Sequence, residues 1–128
     1  MFTKLENLHR ICFPARPWSA VEFADLKKSG CEIITSENAF IVWRAVLDEA
    51  EIITIGVRPD TRKTGIATAI LTVAESEIKK SGAKKIFLEV ADNNTAARRL
   101  YESNGYLQIG IRPKYYDGTD ANIMEKTL

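Results

Sequence analysis

At 128 residues, with 18 lysines and arginines against 17 aspartates and glutamates and a formal net charge of +1, the chain has no overall field to draw it to nucleic acid or to an anionic membrane. The length fits one compact domain, residues 1–128, large enough to bury roughly two-thirds of the surface that an unfolded chain exposes. No apolar run reaches the roughly 18 to 20 residues that span a bilayer, and Met1-Phe2-Thr3-Lys4-Leu5-Glu6 lacks the apolar core of a secretion signal, so a soluble cytoplasmic protein is expected.

Leu5, Leu8 and Ile11-Cys12 recur at helical spacing. A second short helix is predicted from Ser19, an N-cap residue with Glu22 three positions on as the partner of a capping box. Between them, Phe13-Pro14-Ala15-Arg16-Pro17-Trp18 reads as a proline-interrupted aromatic loop. Glu32 to Thr35, Ala39 to Leu47 and Glu51 to Val57 are β-rich runs separated by Ser36-Glu37-Asn38 and Asp48-Glu49, which predicts an antiparallel meander. From Gly65 to Lys80 the apolar Ile66, Ile70, Val73, Ala74 and Ile78 return every three or four residues, the stripe of a helix packed on a sheet, and Ser81-Gly82 ends it. Lys85 to Val90 is then a buried strand, Thr95 to Ser103 a helix closed by Asn104-Gly105, and Tyr106 to Ile111 with Ala121 to Lys126 a last pair of strands across Asp117-Gly118. Strand, helix, strand requires a crossover, so the runs ending at Val57 and Val90 are expected to lie parallel. The fold class is α/β, one mixed sheet flanked by helices.

The chemistry concentrates where the Ile52 to Val57 strand gives way to the Gly65 helix, at Arg62-Lys63-Thr64-Gly65-Ile66-Ala67. A helix start leaves N–H groups unpaired at the positive end of the helix dipole, so an anion such as a phosphate is a natural partner there. Gly65 and the small Ala67 let it approach, and Arg62 and Lys63 add positive charge. The stretch is not a Walker loop, because no second Gly stands five residues before Gly65 and no Lys-Ser/Thr pair follows it, nor a dinucleotide fingerprint, which needs three spaced glycines. Lys63-Thr64-Gly65 with Ser76-Glu77-Ile78-Lys79 imitates two penicillin-binding motifs, but in reversed order and without the third. Two further oddities point to the same crevice. Gly56 interrupts a β-branched strand, which commonly marks close approach of a ligand or another backbone. Glu89 interrupts an apolar one, where a carboxylate is expensive to bury unless it is paired or faces a cleft. Cys12, Cys31 and the single His9 have no spacing suited to zinc, so no metal is expected, and the thiols read as reduced core or half-core residues.

On Arg62-Lys63-Thr64-Gly65-Ile66-Ala67 the chain resembles the GNAT family of N-acetyltransferases, whose acetyl-coenzyme A motif is Gln/Arg-x-x-Gly-x-Gly/Ala after a strand. The likeness narrows to the ribosomal-protein-alanine N-terminal acetyltransferases. It does so through Phe13-Pro14, Pro17-Trp18-Ser19, Val46-Leu47-Asp48-Glu49-Ala50, Leu88-Glu89-Val90, Asn94, Leu100-Tyr101-Glu102-Ser103-Asn104-Gly105-Tyr106 and Arg112-Pro113-Lys114-Tyr115-Tyr116. The resemblance implies a mostly antiparallel sheet whose parallel central strand pair splays around the coenzyme. It also implies acetyl-coenzyme A as co-substrate, its pyrophosphate held by Arg62, Lys63, Thr64, Gly65, Ile66, Ala67 and Thr68, and its pantetheine arm paired with the backbone of Ile55, Gly56 and Val57. A backbone N–H of that strand would receive the reaction's oxyanion. Asn94 would contact the coenzyme, Glu89 would act as general base and Tyr101 as general acid.

The acceptor so implied is a protein N-terminus or another amine, with no nucleic acid or membrane as partner. A small amine, a lysine, or a non-catalytic acyl-coenzyme A-binding module are the alternatives. From the residues alone Glu89 is equally an edge carboxylate facing water, Tyr101 a packing aromatic, and Arg98-Arg99 a solvated pair or one of them a neighbour of a coenzyme phosphate. His9 shows no partner that would build a nucleophile-activating triad, which favours direct transfer over an acetyl-enzyme.

Overall fold

The computed structural model describes residues 3–13, 17–61, 65–116 and 118–128, with 61 and 114–116 described by their backbone alone. In chain order the elements are α1 (Thr3–Cys12), α2 (Ala20–Lys28), β1 (Glu32–Thr35), β2 (Ala39–Val46), β3 (Glu49–Val57), a short 3-10 turn (Pro59–Thr61), α3 (Ile66–Lys80), β4 (Lys85–Ala91), α4 (Thr95–Ser103), β5 (Leu107–Tyr116) and β6 (Thr119–Thr127). The strands form an open mixed sheet in the order β1-β2-β3-β4-β6-β5. β1 pairs antiparallel with β2, and β6 antiparallel with both β4 and β5. β3 and β4 are the parallel pair, from Glu49 opposite Lys85 to Glu51 opposite Phe87, as the crossover through α3 requires.

The chain divides into two compact units, Met1–Arg44 with Ile53–Glu77, and Ala45–Ile52 with Ile78–Leu128. In the first, Leu5, Leu8, Cys12, Phe23, Cys31, Phe40 and Val42 form a buried cluster with Phe13, Trp18, Leu26, Ile33 and Ile53 packed against it. Cys12 and Cys31 are buried and not joined in a disulfide. Ser19 caps α2 as the sequence predicts, its hydroxyl accepting the Glu22 N–H at 3.2 Å.

His9, read from sequence as partnerless, is instead the hub of this cluster. Its ring stacks on Trp18 at 4.8 Å and meets Phe13, Phe23 and Phe40 within 5.5 Å, while its Nδ1 accepts the Trp18 backbone N–H at 3.0 Å. Burial lowers its pKa from the usual histidine range, and the nearby Glu22 charge offsets this only in part. A histidine with a depressed folded-state pKa is protonated first in the unfolded chain. Its contribution to stability is therefore complete above the ordinary value of about 6.5, falls as pH drops below it, and levels off once the folded imidazole is also charged. Thermal melts between pH 7.5 and 5 should show a decline that is shallower in His9→Asn, which keeps an acceptor but does not titrate. Identical slopes would exclude this linkage.

In the second unit, β4 alternates, with Ile86, Leu88 and Val90 buried and Phe87, Glu89 and Ala91 half-buried on the opposite face. The register with β6 continues this pattern, Leu88 opposite Met124 and Glu89 opposite Ile123. Among the strand limits that differ from the sequence reading, two have a visible cause. β3 begins at Glu49 rather than Glu51, because Leu47 takes a positive φ of 59° and shortens the turn to two residues. β5 runs on to Tyr116 through Pro113, which an edge strand tolerates, with an irregular register between Arg112 and Tyr116.

Candidate active site

Of the described residues foreseen for coenzyme binding, all but Asn94 lie in the first unit. Gly65 has φ +84°, a conformation that disfavours any side chain, and the position of a Cβ there would meet nothing within 4 Å. The Ala69 N–H donates to the Gly65 carbonyl at 3.0 Å, so the N–H groups of Ile66, Ala67 and Thr68 precede the first intrahelical bond of the 15-residue α3. An open approach, early-turn N–H groups and the positive end of a long helix fit a diphosphate. Arg62, Lys63 and Thr64, the remaining cradle residues, lie outside the described residues.

Gly56 has a reason the sequence did not reveal. A Cβ on it would come within 2.4 Å of Phe40 Cε1, 2.7 Å of Phe40 Cζ and 3.2 Å of Phe13 Cε2. The ring of a neighbouring strand, not an approaching backbone, occupies the space a side chain would need. Phe40 is fully buried among aromatic rings. Gly56→Ala should therefore lower stability by about 1–3 kcal/mol, the usual range for overpacking a core. Denaturant melts read this directly, and an unchanged midpoint would show that the ring relaxes freely. Ile55 and Val57 flank Gly56 on the same strand.

The first unit also carries an open groove of about 850 Å³ bordered by Leu5, Leu8 and Ile11 of α1, Ile33 and Thr35 of β1, and Arg58. Among the described residues, none of those foreseen for coenzyme binding or catalysis lines it.

The two proton-handling candidates lie in the second unit. Glu89 is paired, as its place in an apolar strand demands: its Oε1 is 2.7 Å from Arg112 Nη2, with the carboxylate side chain 25% exposed and the guanidinium side chain 54% exposed. Tyr101, on α4, is buried at 4% exposure with its ring edge-on to Tyr106 at 5.5 Å. Its carbonyl accepts the Asn104 and Tyr106 N–H groups, each at 3.0 Å, and these bonds close the helix. Asn94, foreseen as a coenzyme contact, is the N-cap of α4, its Oδ1 accepting the Ala97 N–H at 3.2 Å.

The turn before α4 is held from two sides. Asn122, 2% exposed, donates to Asp92 Oδ1 at 2.9 Å, and Arg98 Nη1 donates to the Asp92 carbonyl at 3.1 Å. Arg98, read from sequence as solvated, thus braces the backbone that sets the start of the Tyr101 helix. Arg112 enters the sequence reading only within the family marker Arg112-Pro113-Lys114-Tyr115-Tyr116, a segment that the resemblance sets beside the acceptor groove. Nothing in the pattern says that it meets Glu89, because that depends on a strand register. Among the described residues, no cluster of three or more His, Cys, Asp or Glu side chains is placed to hold a metal, and no helix is long and apolar enough to cross a membrane.

Residues 4–106 match the model of the Acetyltransferase (GNAT) family. The ribosomal protein bS18-alanine N-acetyltransferase of Escherichia coli (strain K12) is 37% identical over 112 residues, 84% of this chain and 76% of that one. The crystal structure of the ribosomal-protein-S18-alanine N-acetyltransferase from Escherichia coli superposes with a TM-score of 0.85 at 34% identity, over 97% of this chain and 85% of that chain. Ard1 from Thermoplasma volcanium has the same fold, with a TM-score of 0.86 at 22% identity over 100% of this chain and 93% of that one.

Proposed function

The chain belongs to the acetyltransferase (GNAT) family and is an acetyl-coenzyme A-dependent N-acetyltransferase, and we propose that its acceptor is the N-terminal α-amine of an alanine-starting protein, a ribosomal protein of the bS18 type. The observation that carries this reading is the 37% identity over 84% of the chain to an enzyme named for that substrate. Amine chemistry agrees. Only a neutral amine attacks a thioester, and an α-amine with pKa near 8 is neutral at far lower cost than a lysine amine near 10.4, a difference of roughly 3 kcal/mol. A single carboxylate base suits the first acceptor better than the second.

Acetyl-coenzyme A, when bound, supplies an acetyl group activated as a thioester. In this reading the first turn of α3, Gly65 to Thr68, together with Arg62, Lys63 and Thr64, holds the diphosphate, and the backbone of Ile55, Gly56 and Val57 aligns the pantetheine arm and donates an N–H to the acetyl oxygen. Asn94 contributes a further contact to the coenzyme. Glu89 takes the proton from the acceptor nitrogen, and Tyr101 directs its hydroxyl hydrogen to the departing sulfur.

The protein incubated with acetyl-coenzyme A and a panel of peptides and amines, followed by mass spectrometry, tests the acceptor. An alanine-starting bS18 N-terminal peptide should gain one acetyl group on its α-amine much faster than an internal-lysine peptide or a polyamine. Preference for the lysine peptide or the polyamine would overturn the assignment, and coenzyme binding without transfer to any acceptor would favour a binding module.

A further inference from the structure

Glu89 and Arg112 lie on strands separated by β6. Glu89 stands opposite Ile123 and Arg112 opposite Ala121, two residues apart on β6, so both side chains rise from one face. That coincidence depends on an irregularity in β5. Leu107 pairs with Glu125 and Gln108 with Met124, but Gly110, not Ile109, pairs with Ile123. Ile109 is the extra residue of a bulge. Unbroken alternation from Leu107 would place Arg112 opposite Asp120, on the face away from Glu89; the bulge turns it back, so that its guanidinium reaches across β6 to the carboxylate at 2.7 Å.

A half-exposed ion pair contributes little to folding, so stability alone gives no account of this arrangement. Its effect on the carboxylate is geometric. A glutamate side chain samples several rotamers, whereas a base must stand within hydrogen-bond reach of the proton it removes. The other charged groups that β4 and β6 place on this face, Lys85 and Glu125, lie 4.0 Å from each other.

We propose that Arg112 is a positioning residue for the acetyl transfer: by holding Oε1 of Glu89 it presents Oε2 to the acceptor amine. The amine N–H bond breaks as an O–H bond forms at Oε2, Glu89 passes the proton to water, and Arg112 stays protonated throughout. The inference rests on the assignment of Glu89 as base.

The test is a double-mutant cycle on the full chain with the alanine-starting peptide. Arg112→Met should lower kcat by about 10- to 100-fold, in the range expected for a misplaced catalytic group, with KM for acetyl-coenzyme A unchanged. Arg112→Lys should recover part of the loss, and added guanidinium should partly rescue Arg112→Met. In the Glu89→Gln background, Arg112→Met should change kcat by less than about twofold, since residues that act as a unit are non-additive. The same fold-loss in both backgrounds, or a loss confined to peptide KM, would overturn the positioning role while leaving the base intact. A fully active Glu89→Gln would instead remove the base assignment. Melting curves within a few degrees of wild type for each variant separate these outcomes from a failure to fold.

Discussion

Glu89→Gln is expected to lower turnover by about 100- to 10,000-fold, the range for removal of a general base, and to do so most severely at low pH. The pH dependence follows from the acceptor. An α-amine with pKa near 8 is about 1% neutral at pH 6 and mostly neutral at pH 9, so the proton that Glu89 must take is a burden chiefly on the acid side. The substitution keeps the shape of the side chain and leaves an amide oxygen for Arg112, and the pair it weakens is half-exposed, so folding should be little affected. Rates of peptide acetylation from pH 6 to 9 decide the matter. Wild-type and variant profiles that superpose after scaling would mean that water or another group takes the proton.

Most of the fold was legible because its signals are local. The stripe along α3, the Ser19 cap and the Asn104-Gly105 closure each depend on residues within a few positions of one another, and the parallel pair follows from the crossover connection once the elements are in order, while the turn at Asp117-Gly118 falls partly outside the described residues. The errors fell where a distant residue or a strained turn decides. Leu47 at positive φ is not an expected turn residue, so nothing local marks the start of β3 at Glu49, and the run Tyr106 to Ile111 gives no sign that the edge strand β5 continues through Pro113. Gly56 stands out in the linear pattern, but the ring of Phe40 that fills the space of its missing side chain does not. The same limit hid the Arg112–Glu89 pair, which exists only by way of a bulge one strand removed. The proposed site residues rest on anomaly and resemblance; the contacts around them depend on the register.

Tyr101→Phe is expected to reduce turnover by about 10- to 1,000-fold, in line with loss of one acid or electrostatic donor. Reference acidities limit how the hydroxyl can act. A phenol with pKa near 10 is a weaker acid than a thiol near 8.5, so complete proton transfer to a departing thiolate is uphill by about 2 kcal/mol, whereas a hydrogen bond to charge as it develops on sulfur is favourable from the outset. The substitution isolates that bond, because phenylalanine preserves the ring that stands edge-on to Tyr106 at 5.5 Å and the backbone carbonyl that closes α4. KM for acetyl-coenzyme A should change little, since the interaction strengthens only as the thioester breaks. Single-turnover acetylation, in which chemistry and not product release sets the rate, is the measurement required. Wild-type rates under those conditions would return Tyr101 to the role of a packing aromatic and leave departure of the thiolate to another donor or to solvent.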